Sequence, residues 1–197
     1  MADMMQAVVK FGAEDGQVEL REVPVPVPGP GDVLLEVKAA GVCGSDIEQY
    51  RHAVSYHIPT PVIMGHEFAG VIAEVGEGVE GWAVGDEVVS ETAAYICGSC
   101  RLCRTGNYNL CPERLGFGYG LDGAFARYVR VRSPLLHRKP PGVSWNAAAL
   151  TEPTCVAYQA IVVMSDLRPG EPVAILGPGA VGLMCLQVAR TLGARPS

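Results

Sequence analysis

Positive charge is scarce in this sequence. Lys and Arg number 15 against 21 Asp and Glu, giving a net charge of −6 and a pI near 5.2. Binding along phosphates needs clustered Lys and Arg, so nucleic acid is not expected as the main partner. Long apolar runs are also missing. None reaches the roughly 18 residues that would suggest a membrane span. The start, MADMMQAVVK, lacks a basic region followed by an apolar stretch. No secretory signal is read there, and the expected location is the cytoplasm. Low-complexity segments and internal repeats are absent too. What the chain does have is 49% hydrophobic and 18% charged residues over 197 positions. That is enough to bury a substantial core in one domain, or one domain and part of another.

Gly 24 and Pro 15 are high counts, and they punctuate the whole chain. Such spacing suits a β-rich fold with many turns. Ala7–Phe11 and Val18–Val23 flank a turn rich in Gly, Asp and Glu and read as a hairpin. The stretch from Pro24 to Gly31 is a proline-rich connector, since proline has no N–H to give a ladder. Asp32–Ala39 alternates, with Val33, Leu35, Val37 and Ala39 on one face and Leu34, Glu36 and Lys38 on the other, as in a half-buried strand. Phe68–Val75 and Glu87–Val89 read as further strands. Short strands at this spacing predict a mainly β barrel or sandwich.

The pattern changes near Ser144, a helix-capping residue followed by a helix-friendly run from Trp145 to Leu150. Val173–Leu176 reads as a short, fully buried strand. Beyond it, Val181, Met184, Cys185, Val188 and Leu192 fall at helical spacing, and Gly193 is placed to end the helix. Strand, glycine loop and helix open a βαβ unit, whose second strand is expected to start at Arg195-Pro196-Ser197. Expected domain bounds are therefore 1–150 and 151–197.

Seven cysteines are present, an odd number. Four fall between positions 97 and 111 as Cys97-x2-Cys100-x2-Cys103-x7-Cys111, in a lobe spanning about residues 91–115. Four thiolates close a tetrahedral Zn²⁺ site, which is structural because no position is left for substrate. The lobe carries Gly98, Ser99, Gly106, Asn107 and Asn109 and few large apolar residues, so a metal would supply its folding energy. An iron–sulfur cluster, two disulfides or inert thiols are the rivals. Cys43-Gly44-Ser45-Asp46 and Gly65-His66-Glu67 lie at strand edges, where Cys43, His66 and an acid make a three-ligand set with an open position. Taken singly, Cys43 also reads as a core residue and His66 as a turn residue. His52, His57 and His137 read as surface residues, and Cys155 and Cys185 as buried small apolar ones.

Gly177-x-Gly179-x-x-Gly182 follows an expected strand and opens an expected helix. In that context the glycines let the backbone approach a pyrophosphate at the helix N-terminus. The bland reading is an ordinary tight turn between strand and helix.

Taken together, Gly41-Val42-Cys43-Gly44-Ser45-Asp46, Gly65-His66-Glu67-Phe68-Ala69-Gly70, Val84-Gly85-Asp86-Glu87-Val88, the four-cysteine lobe and Gly177-Pro178-Gly179-Ala180-Val181-Gly182 resemble the zinc-dependent medium-chain alcohol dehydrogenases, in that family's order. Thr151-Glu152-Pro153 resembles the sorbitol (polyol) and threonine dehydrogenase branches. The resemblance covers essentially the whole chain and implies a C-terminally truncated family member. It implies a GroES-like barrel catalytic domain, then the first βα unit of a Rossmann domain. It further implies that Cys43 and His66 bind catalytic zinc, with Glu67 and Glu152 competing for the third place. Ser45 matches the hydroxyl that relays the substrate proton. Glu48 stands where many members have a relay His, so proton exit runs through Glu48 and water or the relay is shorter. Gly177, Gly179, Ala180, Val181 and Gly182 would meet the cofactor, NAD or NADP with NAD favoured.

The implied activity is hydride transfer between a secondary alcohol, foremost a polyol, and a nicotinamide cofactor. Two zinc ions per full-length subunit, a small-molecule substrate, homo-oligomeric assembly and no membrane partner go with it. Threonine or another alcohol is the alternative substrate. The rivals from other classes are a zinc-free quinone reductase on the same fold and an inactive zinc-binding fragment. The 197-residue chain alone is expected to be inactive, with little cofactor affinity, since it supplies only the opening of a Rossmann sheet.

Overall fold

The computed structural model describes residues 3–196, with side chains through Arg195. Two compact units result, Met1–Ala149 and Leu150–Ser197. The first unit runs β1 (Met4–Lys10), β2 (Val18–Pro24), β3 (Asp32–Gly41), α1 (Gly44–Tyr50), β4 (Val62–Ile63), β5 (Glu67–Val75), β6 (Glu87–Ser90), α2 (Arg101–Arg104), β7 (Tyr128–Arg132), β8 (Leu136–Arg138) and α3 (Trp145–Ala149).

The expected hairpin forms: β1 and β2 pair antiparallel from Met4↔Pro24 to Lys10↔Val18. β4 adds to the other edge of β1, and a five-stranded antiparallel sheet follows the order β7-β3-β5-β6-β8. An isolated Ala7↔Ala126 bridge ties β1 to the segment that leads into β7. Val33, Leu35, Phe68, Ile72, Val88, Val129 and Val131 form the main core, on one face of the larger sheet. Leu34 departs from the half-buried alternation, being only 3% exposed. The opposite face is not open to water along its whole length either: Leu34 lines a hollow with Met5, Val25, Ala73 and Tyr128, and elsewhere Ala69 and Val89 pack with Ala148 of α3. Ser144 starts α3 as expected, its Oγ accepting the Ala147 N–H at 3.3 Å.

One feature of this unit was invisible in the sequence. Lys10 is fully buried. Its ammonium donates to the carbonyls of Glu14 at 2.6 Å and Tyr50 at 3.3 Å. Tyr50 ends α1, so a positive charge sits where the helix leaves carbonyls unpaired, a favourable match to the helix dipole. Burial lowers the Lys10 pKa, and Asp15 works against that shift. The β1–β2 loop is thereby tied to the helix that carries Cys43 at its N-cap.

The second unit holds α4 (Thr151–Tyr158), a π-helical turn over Gln159–Val163, β9 (Pro172–Val173), α5 (Ala180–Thr191) and β10 (Arg195–Pro196). β9 and β10 pair parallel, with α5 between them in sequence. That is a βαβ unit, the arrangement the glycine loop implied. Gly193, at φ +79°, follows the helix end as expected. Two expectations fail here. The strand expected at Val173–Leu176 is only Pro172–Val173, and Leu176 is 96% exposed. Its pairing extends only as far as the described part of β10, with Arg195↔Pro172 and Pro196↔Val173; Ser197 lies outside the described residues. Cys155, expected to be buried, is exposed. It lies on a face of α4 with Val156 and Tyr158, which are also exposed, while Cys185 is half-buried.

Candidate metal centres and active site

The lobe from Cys97 to Cys111 brings all four thiols together. Their sulfur atoms lie within 4.8 Å of one another, with Cys97 Sγ to Cys111 Sγ at 3.6 Å and Cys97 Sγ to Cys103 Sγ at 3.9 Å. A tetrahedral zinc with Zn–S near 2.3 Å puts its sulfurs roughly 3.8 Å apart, so the set fits zinc as it stands. Backbone amides point at the sulfurs: Cys97 N–H to Cys111 at 3.5 Å, Cys100 N–H to Cys97 at 3.4 Å and Cys103 N–H to Cys100 at 3.4 Å. Such donors favour thiolates. The Cys97 thiol is drawn down to about 6, chiefly by the Cys100 and Ser99 amides. Cys103 is pushed up to about 12 by burial and by its thiol neighbours. A divalent cation removes that conflict by stabilising all four thiolates together.

The second cluster is made by strand register. β3 and β5 pair through to Gly41↔Glu67. The residues just beyond that pair, Cys43 after β3 and His66 before β5, therefore sit side by side. Cys43, His66 and Glu67 bring their ligand atoms within 4.8 Å of one another. Gly41 leaves the space that Glu67 needs, because a Cβ there would overlap the Glu67 carboxylate. His66 and Glu67 are buried and Cys43 is half-buried.

Asp46 organises this cluster, a role the sequence analysis did not assign. It is 2% exposed. One carboxylate oxygen accepts the Cys43 N–H at 2.8 Å, and the other stands 3.5 Å from His66 Nδ1. Burial works to lower the His66 pKa, but Asp46 and then Cys43 outweigh it and raise it to about 9. The geometry turns Nδ1 towards the acid and leaves Nε2 for a ligand, which is how a carboxylate fixes a metal-binding imidazole. Asp46→Asn should weaken zinc binding at this cluster by about 10- to 100-fold. Competition with a chromophoric chelator measures it, and unchanged affinity would remove Asp46 from the site.

Ser45 and Glu48 lie on α1, three residues apart on one face; Ser45 is half-buried and Glu48 exposed. Glu152 lies in the first turn of α4, in the second unit. His52 and His57 are exposed. His137 is also on the surface, its Nε2 3.0 Å from a Glu91 carboxylate oxygen. Aromatic neighbours of the cluster were missed by sequence reading, because nothing in the chain order links residues 56, 66 and 119. The Tyr119 ring stands edge-on to His66 at 6.4 Å and meets the Tyr56 ring at 5.4 Å. Burial raises the Tyr56 pKa, as do Tyr119, Glu48, Asp46 and Cys43.

In the second unit, Gly177 has φ +101° and Gly179 is the N-cap of α5. A Cβ at position 182 would overlap the Gly177 carbonyl. The turn therefore closes tightly on itself at the start of the helix, with Ala180 and Val181 in its first turn, as the glycine spacing predicted.

Residues 29–141 match the alcohol dehydrogenase GroES-like domain family. This chain is a member of that family. Among its relatives is a sorbitol dehydrogenase of Halalkalibacterium halodurans, 46% identical over 96% of this chain and 54% of that protein. An L-threonine 3-dehydrogenase of Pyrococcus furiosus is 40% identical over 100% of this chain and 56% of its own length. A cobalt- and zinc-bound thermostable alcohol dehydrogenase from Pyrobaculum aerophilum superposes with a TM-score of 0.86, at 34% identity, over 98% of this chain and 59% of that one. The chain thus spans about half the length of the curated relatives it matches. The GroES-like β fold and the βα opening expected from the sequence both stand.

Proposed function

We propose that this chain supplies the zinc-binding part of a dehydrogenase that oxidises secondary alcohols, polyols foremost, with NAD or NADP. The observation that carries the reading is the convergence of Cys43, His66 and Glu67 around one point, backed by Asp46. A borderline-soft divalent ion suits one thiolate, one imidazole and one carboxylate. Cys43 and His66 would hold it with Glu67 or Glu152 as third ligand. Zinc bound there would polarise the alcohol oxygen as a Lewis acid.

The chain's own groups do the rest. Ser45 Oγ takes the substrate proton and passes its own outward, and Glu48, exposed on the same helical face, hands it to water. Asp46 keeps the His66 ring oriented throughout. Gly177, Gly179, Ala180, Val181 and Gly182 would hold the pyrophosphate of a nicotinamide cofactor, which would supply the hydride acceptor. In this reading residues 1–150 form the catalytic domain and 151–197 open the dinucleotide domain. Homo-oligomeric assembly belongs to the same proposal and rests on the family resemblance. Cytoplasmic placement goes with it because thiolate ligands persist in a reducing compartment. Among the described residues, no helix is long and apolar enough to cross a membrane.

The test is an assay of the enzyme containing this chain, following NADH and NADPH formation with sorbitol, pentitols and L-threonine. Polyol oxidation that is lost on zinc chelation and regained with zinc is expected. Turnover of threonine alone would replace the polyol reading, and activity that survives complete removal of zinc would end the zinc reading.

A further inference from the structure

Tyr119 is held more tightly than a half-exposed loop tyrosine needs to be. Its hydroxyl accepts from Arg114 Nη1 at 2.7 Å, and Arg114 Nη2 donates to Thr92 Oγ1 at 3.0 Å. The guanidinium thus bridges two segments of the barrel with a rigid planar fork. The ring lies over Gly116, where a Cβ would overlap it. Gly116 also anchors the turn beneath, its carbonyl accepting from Gly120 N–H at 2.9 Å and Leu121 N–H at 3.0 Å, while Gly118 N–H donates to Leu121 at 2.8 Å. Beyond the turn, Gly123, Ala124 and Phe125 bond to the carbonyls of Ile63, Gly65 and Met64, so the loop is registered against the residues that lead into His66. The consequence is a ring set edge-on to His66 at 6.4 Å and 81°, braced on its other side by Tyr56 at 5.4 Å.

We propose that Tyr119 is a fixed side wall of the alcohol site and determines which alcohols enter it. This inference rests on the functional reading above and deepens it. A ring beside His66 limits the width available to groups attached to the reacting carbon. It also offers an apolar surface to the C–H side of a narrow, hydroxylated chain, whose polar edges can face Glu48 and Glu67. Slender polyol chains therefore pass, and alcohols with an aryl substituent on the reacting carbon are turned away. Arg114 does not touch substrate in this scheme; it is a positioning residue, acting through the Tyr119 hydroxyl.

The readout is a selectivity ratio, kcat/KM for 1-phenylethanol divided by kcat/KM for 2,3-butanediol, measured on the enzyme containing this chain. Tyr119→Ala should raise that ratio by at least about tenfold, because discrimination by pocket shape operates on that scale. Arg114→Met, which keeps the ring but frees it, should shift the ratio the same way by a smaller factor. Zinc content and thermal midpoint report whether each variant is folded, and Arg114→Met carries the test if Tyr119→Ala is not. A merely structural role would lower both kcat/KM values together and leave the ratio in place. An active wild type whose ratio moves by less than about twofold in the folded variants overturns the inference alone. A wild type inactive on every alcohol overturns the functional reading, and the inference with it.

Discussion

Replacing His66 with Ala should cut alcohol oxidation by about a thousandfold or more in the enzyme that contains this chain, while the zinc of the cysteine lobe stays bound. Metal polarisation of a substrate oxygen is worth several kcal/mol of transition-state stabilisation, and each 1.36 kcal/mol is about tenfold in rate. His66 is one of three groups whose ligand atoms meet within 4.8 Å, and it is the one oriented by Asp46. Cys43 with either Glu67 or Glu152 leaves a two-ligand site, too few for a catalytic zinc. His66 is 7% exposed, so the Ala variant also opens a small void beside Asp46. Stability must therefore be followed alongside activity. The expected pattern is one zinc per chain in place of two, an intact fold by circular dichroism, and turnover near background. Activity within about tenfold of wild type would mean that His66 is a turn residue and that the alcohol oxygen is polarised elsewhere.

How much of this site could be read from the chain depends on whether its geometry is local. The lobe was legible because its four ligands fall within one short segment and its spacing is itself the metal signature. Cys43 and His66 carry no such local signature. What joins them is the β3–β5 register ending at Gly41↔Glu67, and only the resemblance to a family supplied that pairing in advance. Asp46 was visible in the motif but had no stated partner. Its role appears only when α1 turns its carboxylate back on the Cys43 amide and across to His66. Tyr119, Tyr56 and Lys10 were illegible for the same reason: each acts through contacts made between distant segments. The strand signals held where apolar residues face a core, as in β3 and β5, and failed at Leu176, where the described residues provide no pairing strand. The burial forecast for Cys155 failed likewise, since thiol chemistry says nothing about which helix face meets a neighbour.

Cys100→Ser should remove one equivalent of zinc from the protein and unravel the lobe while sparing the barrel. The lobe has little else to hold it. Leu110 is 62% exposed and Tyr95 41% exposed, and its two helical turns, Arg101–Arg104 and Tyr108–Leu110, bury no residue. Isolated turns of this length do not persist on their own. Structural zinc in comparable small sites supplies apparent binding energies of about 10–16 kcal/mol, which is folding energy because the unfolded chain has no preformed site. Cys100 has two tasks. It is one of the four ligands, and its sulfur caps α2 by accepting the Cys103 N–H at 3.4 Å. Serine can still cap a helix, so loss of structure in this variant would trace to the metal. The main core draws on β3, β5, β6 and β7 and on Phe117 and Leu135, none of them between Cys97 and Cys111, so the barrel should survive. Elemental analysis of wild type and variant, purified without added metal, gives the zinc difference. Limited proteolysis locates the damage, with new cleavage expected between residues 97 and 111 and nowhere else. Equal zinc in both proteins would show that the four thiols do not hold the metal together, and protection of the lobe in the zinc-depleted variant would show that its fold does not depend on it.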